Sequence, residues 1–342
     1  MENGQPTPLH SQSAQKSIEC FYHALETWRS ERKRNPRLRP PHKQKRFYKV
    51  IWKKSAIPLK EGILSLSNAR GTPPLQIPWK HEKPVQVEMG WAGRESEIRA
   101  TYEGEVDPAD RSVVASCDLG EVHPAAIGTR DFHLLLNGGE LRAKRRYREK
   151  LKARLDARID RKKKGSKRRA RLIRSKQRKL RDLSRQIRDI EHKLTSSAIH
   201  ELDDRGVGTL VIGDMRDFRM DYDQGKVQNQ RMHQAPKGRI RAYLTQKAKR
   251  RGWKVELVDE AWTSKECPAC GVRNTPSGRV YRCRSCDWRG HRDVVGQVNI
   301  LGKYLGNERG CRVVGAMASP SGVRYYPHLR CRSRSPARIP DL

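Results

Sequence analysis

The sequence predicts a mixed α/β protein in two parts. A small β-rich domain comes first. A larger unit follows, with three strands in a meander, a long helical hairpin, and then strand, helix, strand and a final helix. Three observations carry this reading. Apolar runs of strand length end at Asp118, Gly128, Leu136, Gly213 and Glu260. Between residues 141 and 194 the apolar residues recur at helical spacing. Two Cys-x-x-C pairs then stand twelve residues apart. A chain of 342 residues is long enough for two or three domains with real cores.

Residues 1–17 are polar and read as disordered. In 18–41, a short helix over 18–33 carries Phe21, Tyr22, Leu25 and Trp28, and Asn35-Pro36 through Pro40-Pro41 breaks it. The β-rich domain spans 42–107. Its first strand, 46–53, mixes cations and aromatics, and further strands are expected near 62–67, 84–89 and 97–103. Arg46, Tyr48 and Lys49 on that first strand suit backbone contact and base stacking with a nucleic acid. An ordinary half-buried sheet would show the same pattern.

The larger unit spans 108–305. Strands are expected at 112–118, 125–128 and 132–136, the last two joined by a tight turn at Thr129-Arg130-Asp131. Residues 141–204 form an α-hairpin. Tyr147, Leu151, Leu155 and Ile159 recur every four residues on its first arm, and Ile173, Leu180, Leu183, Ile187, Ile190 and Leu194 stripe the second. A strand over 208–213, a helix over 236–251, a strand over 254–260, a cysteine module within 263–290 and a helix over 293–305 complete the unit. This is the element order of an RNase H-like fold, by fold-level analogy. The tail 306–342 is rich in Gly, Arg, Ser and Pro and reads as disordered.

Composition points to a polyanion partner. Lys and Arg number 74 against 38 Asp and Glu, a formal net charge of +36 with pI near 10.4. Residues 141–190 alone hold 24 Lys or Arg against 5 Asp or Glu, a balance of +19. That excess is too self-repelling for a merely solvated helix face, so the hairpin is read as phosphate-binding through Lys144, Arg145, Arg148, Lys162, Lys163, Lys164, Lys167, Arg168 and Arg169. No stretch approaches 18 apolar residues, and no secretory signal opens the chain, so a membrane partner is not expected.

Of the eight cysteines, Cys267, Cys270, Cys283 and Cys286 form the two pairs, and Cys20, Cys117, Cys311 and Cys331 are scattered. Two Cys-x-x-C turns offer four thiolates to one tetrahedral zinc. With all four positions used, the zinc is structural, and a redox role for either pair is a poor second.

Hydrolysis of a phosphodiester needs an activated water and a stabilised leaving oxygen, which two Mg²⁺ ions held by converging carboxylates supply. Asp118 ends a strand and Asp293 opens a helix. Alone, the first reads as a turn former and the second as a helix cap. The strand between them, Thr209-Leu210-Val211-Ile212-Gly213-Asp214, has glycine where an acid is wanted. Asp214 is one step away and so faces the other side of the sheet. Glu260, 47 residues beyond Gly213 at the end of the next strand, is the acid expected to complete the set. Glu256 lies too deep on that strand, and Asp259 faces away.

Asp118-Leu119-Gly120, Val211-Ile212-Gly213-Asp214-Met215, Thr263-Ser264-Lys265-Glu266-Cys267-Pro268-Ala269-Cys270-Gly271 and Arg292-Asp293-Val294 with Val298-Asn299-Ile300 resemble the C-terminal half of TnpB proteins, transposon-encoded RNA-guided nucleases. The resemblance covers about 105–305. It implies a RuvC-like nuclease domain with a four-cysteine zinc ribbon, a wedge-like β domain before it, guide RNA, and double- and single-stranded target DNA. It also implies Mg²⁺ at Asp118, Glu260 and Asp293. Gly213 with Glu260 resembles a Fanzor-like subset in which the usual glutamate is relocated. The implied activity is RNA-guided DNA cleavage encoded by a mobile element. The alternatives are a nuclease-dead RNA-guided repressor and a truncated transposon-encoded nucleic-acid-binding protein.

Two departures from the family stand out. Val294-Val295-Gly296-Gln297 replaces the family's usual Asn-Ala-Ala after the first valine, and the region before residue 18 holds no clear counterpart of the family's first strand. A shortened N-terminus is therefore expected. The expected location is the cytoplasm or nucleoid of a prokaryote, or the nucleus in a eukaryotic host.

Overall fold

The structure is a computed structural model that describes residues 9–41, 48–91, 95–214, 237–276, 278–306 and 321–323. The chain divides into two compact units, with the boundary between Glu105 and Val106. Arg46, Cys311 and Cys331 lie outside the described residues.

The first unit opens on helix α1 (Ser11–Arg34), so residues 11–17, expected to be disordered, are helical. The His10 ring caps α1 by accepting from the Gln12 N–H. Two antiparallel three-stranded sheets follow. One has the order β1 (Val50–Lys53), β5 (Gln86–Trp91), β6 (Ser96–Thr101), and the other is β2 (Leu59–Lys60), β3 (Ile63–Leu66), β4 (Leu75–Pro78). Trp52, Ile57, Leu64, Leu66 and Val87 form their core. Two strands were not expected. β2 has only two residues, and β4 is bracketed by Pro73-Pro74 and ends on Pro78. Proline is tolerated there because β4 is an edge strand and mostly exposed.

The second unit is built on a six-stranded sheet of order β11-β10-β7-β8-β9-β14. Strands β7 (Val113–Asp118), β8 (Ala126–Gly128) and β9 (His133–Leu136) form an antiparallel meander. Strands β10 (Val207–Asp214) and β11 (Lys254–Asp259) run parallel to β7 on its other side. An antiparallel meander extended by two parallel strands from its first member is the RNase H-like topology. β14 (Ser321–Val323) pairs parallel to β9, so at least this piece of the expected disordered tail is part of the sheet.

Alternation along the strands sends Ala115, Cys117, Leu210 and Ile212 to one face, under helices α3 (Lys167–Asp203) and α4 (Lys237–Lys249). The opposite face is covered by α5 (Arg292–Tyr304), whose Val294, Val295 and Val298 pack with Ala126, Leu135 and the cysteine module. Helix α2 (Gly139–Asp160) and α3 make the basic hairpin. Only Leu155 and Ile159 of the expected four-residue stripe are buried, while Tyr147 is 56% exposed. A strict i, i+4 repeat gains about 40° per step on a helix of 3.6 residues per turn, so it cannot stay on one face for three steps. Buried Glu191 of α3 is bridged by Arg145 of α2 and Arg239 of α4, tying three helices together. No helix among the described residues is long and apolar enough to cross a membrane.

Candidate active site

Asp118 ends β7. The register Ile212↔Cys117 leaves it alongside Gly213, and the register Gly213↔Val258 places Glu260 just past the end of β11. Three neighbouring parallel strands thus bring Asp118, Gly213 and Glu260 to one sheet edge. Parity divides the rest. Asp214 pairs with Arg241 of α4 at 3.5 Å, on the face away from α5. Asp259, 78% exposed at its side chain, lies toward Lys303.

Gly213 is the space in which Glu260 lies. A Cβ at residue 213 would come 2.7 Å from Glu260 Oε2 and 2.9 Å from Ile300 Cδ1. The absent side chain at residue 213 and the Glu260 carboxylate are therefore one arrangement. A second glycine makes room for Asp118, since a Cβ at Gly296 of α5 would come 2.4 Å from Asp118 Oδ2. Glycine inside a helix costs about 1 kcal/mol relative to alanine, and here that cost accompanies close approach to the acid.

The carboxylates repel one another in a poorly solvated space. Burial, with the charge of Asp118 adding to it, pushes Glu260 up to about 7. Burial likewise pushes Asp118 up to about 6, with Asp293 adding and Lys237 opposing. Glu260 Oε2 is buried with no hydrogen-bond partner among the described residues. A buried, orphaned carboxylate oxygen beside a second raised acid fits a cation-binding position. The three acids do not close to within 4.8 Å of one another among the described residues.

Because both acids are raised in the folded state, these two groups hold more protons in the native protein than in the unfolded chain between about pH 4 and pH 7. Their contribution to stability in Mg²⁺-free buffer should therefore fall across that window, by on the order of 5 kcal/mol. Urea denaturation at pH 5 and pH 8, with zinc retained, checks this. Glu260→Gln should remove most of the pH dependence, and an identical slope in that variant would refute the assignment.

Asp293, in the first turn of α5, behaves differently. Burial opposes its ionisation, but the His123 hydrogen bond and the Arg279 charge hold it below the usual carboxylate range. His123 Nδ1 lies 2.6 Å from Asp293 Oδ2, and Arg279 donates to the same oxygen at 3.2 Å. His123, His291 and Asp293 bring their donor atoms within 4.8 Å of one another. His291 Nδ1 accepts from the Asp293 N–H, capping α5, so its neutral ring carries the proton on Nε2. Lys237, His123 and Arg279 were not singled out from sequence. His123 lies five residues past Asp118 and could have been, whereas Lys237 and Arg279 carry no local signal.

The four cysteine sulfurs also lie within 4.8 Å of one another, with Cys267–Cys286 at 3.7 Å and Cys270–Cys283 at 3.5 Å. Zinc–thiolate bonds of about 2.3 Å in a tetrahedron give sulfur separations of about 3.8 Å. Strands β12 (Val280–Arg282) and β13 (Arg289–His291) form the ribbon's hairpin. The Asn274 amide and the Ser285 N–H both donate toward Cys283 Sγ, as suits a thiolate. This is a four-cysteine cluster of zinc-binding type.

On the basic hairpin, Lys163, Lys164, Lys167 and Arg168 are exposed around the turn, with Lys162 half-buried. The other expected phosphate contacts have partners. Arg145 is turned inward to Glu191, Arg169 donates to the Ile159 carbonyl, Arg148 donates to Ser184, and Lys144 donates to Gln186. In the first unit Tyr48 is 63% exposed and Lys49 pairs with Glu88 at 2.8 Å.

Two family models match. One, described as a probable transposase, covers residues 94–219, and the other, the Cas12f1-like TNB domain, covers 238–300. A TnpB-like protein of Methanocaldococcus jannaschii is 38% identical over 66 residues, which is 19% of this chain and 24% of that protein. The match thus spans about a quarter of that relative's length. Among solved structures, a Cas12f1–guide RNA–target DNA complex aligns over 85% of both chains at 16% identity and TM-score 0.41. A CRISPR–Cas12f ternary complex aligns over 85% of this chain and 74% of its own at 14% identity and TM-score 0.41.

Proposed function

The chain belongs to the TnpB family, and from that premise we propose that it is an RNA-guided DNA endonuclease acting through Asp118, Glu260 and Asp293. The observation that carries the proposal is the Glu260 carboxylate in the space left by Gly213, raised by burial and by its neighbour Asp118, and with one oxygen unpartnered among the described residues.

Asp118 and Glu260 would hold Mg²⁺ together with Asp293. Bound there, Mg²⁺ supplies an activated water and stabilises the leaving oxygen. The protein's own groups prepare the site. The His123 ring fixes the orientation of the Asp293 carboxylate, and the positive end of α5 favours its charge. Lys237 offsets part of the repulsion between Asp118 and Glu260, so both can shed their protons near neutral pH. The exposed cations of the hairpin turn would bind phosphates without reading sequence. In this reading sequence is read by RNA pairing, as in other RNA-guided effectors. The zinc in the ribbon is structural, because four thiolates leave no open position.

The test is cleavage of a target plasmid by the purified protein with Mg²⁺ and the RNA that copurifies with it. Linear product is expected only with a matching target. Tight RNA-dependent binding of the target with no cutting by the wild type would replace this reading with that of a repressor.

A further inference from the structure

Glu260 opens a short loop whose backbone is held at several points. The Glu260 carbonyl accepts from the N–H and hydroxyl of Thr263, and Lys303 donates to the Ala261 carbonyl at 2.6 Å. The Trp262 carbonyl accepts from Lys265 N and Glu266 N, and Asn299 of α5 donates to the carbonyls of Thr263 and Glu266. In this rigid frame Trp262 is held at φ +68°, in the left-handed region that a bulky residue adopts only under constraint. Yet its side chain is not packed away. Trp262 is 51% exposed.

A strained backbone that presents a large aromatic ring to solvent spends stability on exposure. The ring's neighbours indicate what it is presented to. The Arg273 guanidinium lies 4.6 Å from the ring centroid and the Lys265 ammonium 5.1 Å. Glu266 pairs with Arg273 at 3.0 Å and orients it. A half-open indole with two cations over its ring combines a π-surface that a base could share with positive charge for its phosphate.

We propose that Trp262 is a stacking platform for a base of the single strand presented to the acid site, two residues along the chain from Glu260. This rests on the nucleic-acid reading above. It gives the loop a role distinct from metal binding, that of fixing the strand's position by one base.

The experiment is fluorescence anisotropy of labelled oligothymidylate and oligouridylate with the full-length zinc-loaded protein, without Mg²⁺, so that no cleavage enters. Trp262→Ala and Trp262→Leu should weaken binding about tenfold or more, and Trp262→Phe should stay within about threefold of wild type. Loss confined to the DNA probe would identify the strand as DNA, and loss confined to the RNA probe as RNA. Trp262→Gly, freed of the left-handed strain, should bind like Trp262→Ala yet melt no lower than wild type. If Trp262→Leu binds both probes as tightly as wild type, the platform is overturned whatever the nuclease does. A wild-type protein that binds neither probe would overturn the nucleic-acid reading and the platform with it.

Discussion

Glu260→Gln should abolish Mg²⁺-dependent cleavage, lowering the rate by about a thousandfold or more, as removal of an essential catalytic group does. It should do so without damaging the fold. Glutamine keeps the shape and removes a carboxylate that burial and Asp118 push up to about 7, with one oxygen lacking a partner among the described residues. The variant should therefore be more stable than wild type at pH 8 without Mg²⁺, by on the order of 1–3 kcal/mol. Loss of activity together with gain of stability marks a charge held for function. Asp214→Asn is the control. Asp214 pairs with Arg241 on the other face of the sheet, so cleavage should change by less than about threefold, a difference of under about 0.7 kcal/mol. If Asp214→Asn were the inactive variant and Glu260→Gln the active one, the assignment would be reversed.

The same geometry yields a sharper form of the test. Gly213→Glu places an acid on β10, but it must fail alone, because even its Cβ would lie 2.7 Å from Glu260 Oε2 and 2.9 Å from Ile300 Cδ1. Overpacking of this kind costs about 1–3 kcal/mol. Adding Glu260→Gly removes one of the two clashes and leaves a single strand-borne glutamate. The double variant should cleave better than either single variant. Simple additivity of the two losses would show that the positions do not share one site.

What the sequence could disclose here follows from fixed periodicities. Side-chain alternation along β10 is invariant, so Asp214 could be set aside and Glu260 nominated from strand order alone. The cysteine spacing was equally readable, because a tetrahedral thiolate site requires it. Other features depend on tertiary packing and leave no local mark. Lys237 follows β10 by more than twenty residues and acts only because the fold brings α4 beneath Asp118 and Glu260. Arg279 reaches Asp293 from the start of the ribbon hairpin. Strand β14 joins the edge of β9 by backbone pairing, which calls for no apolar pattern in Ser321-Gly322-Val323. Arg145, read as a phosphate contact from its place in a basic run, is turned to a buried glutamate. Charge density along a sequence does not say which cations face inward.

Cys283→Ser should cost the protein its zinc and its nuclease activity together. Structural zinc contributes about 10–16 kcal/mol in isolated zinc-finger peptides, so a site of three thiolates and a hydroxyl should not hold the ribbon folded. The damage should not stay in the ribbon. Cys267, Tyr281 and Cys283 form one apolar cluster with Val294, Val295 and Val298 of α5, the helix whose first turn carries Asp293. Asn299 of the same helix holds the loop between Glu260 and the first cysteine pair. Both Asp293 and the Glu260 loop therefore lean on the folded ribbon. Metal analysis, melting and plasmid cleavage on one preparation test the coupling, and removal of zinc by chelation should reproduce the variant. Tyr281→Phe separates packing from metal. It loses the bond from its hydroxyl to the Lys265 carbonyl at 2.9 Å and the one it accepts from Asn274, about 1 kcal/mol each, and it should keep both zinc and cleavage. If Cys283→Ser loses zinc but still cleaves at the wild-type rate, α5 holds Asp293 in place without the ribbon, and the shared core does not couple them.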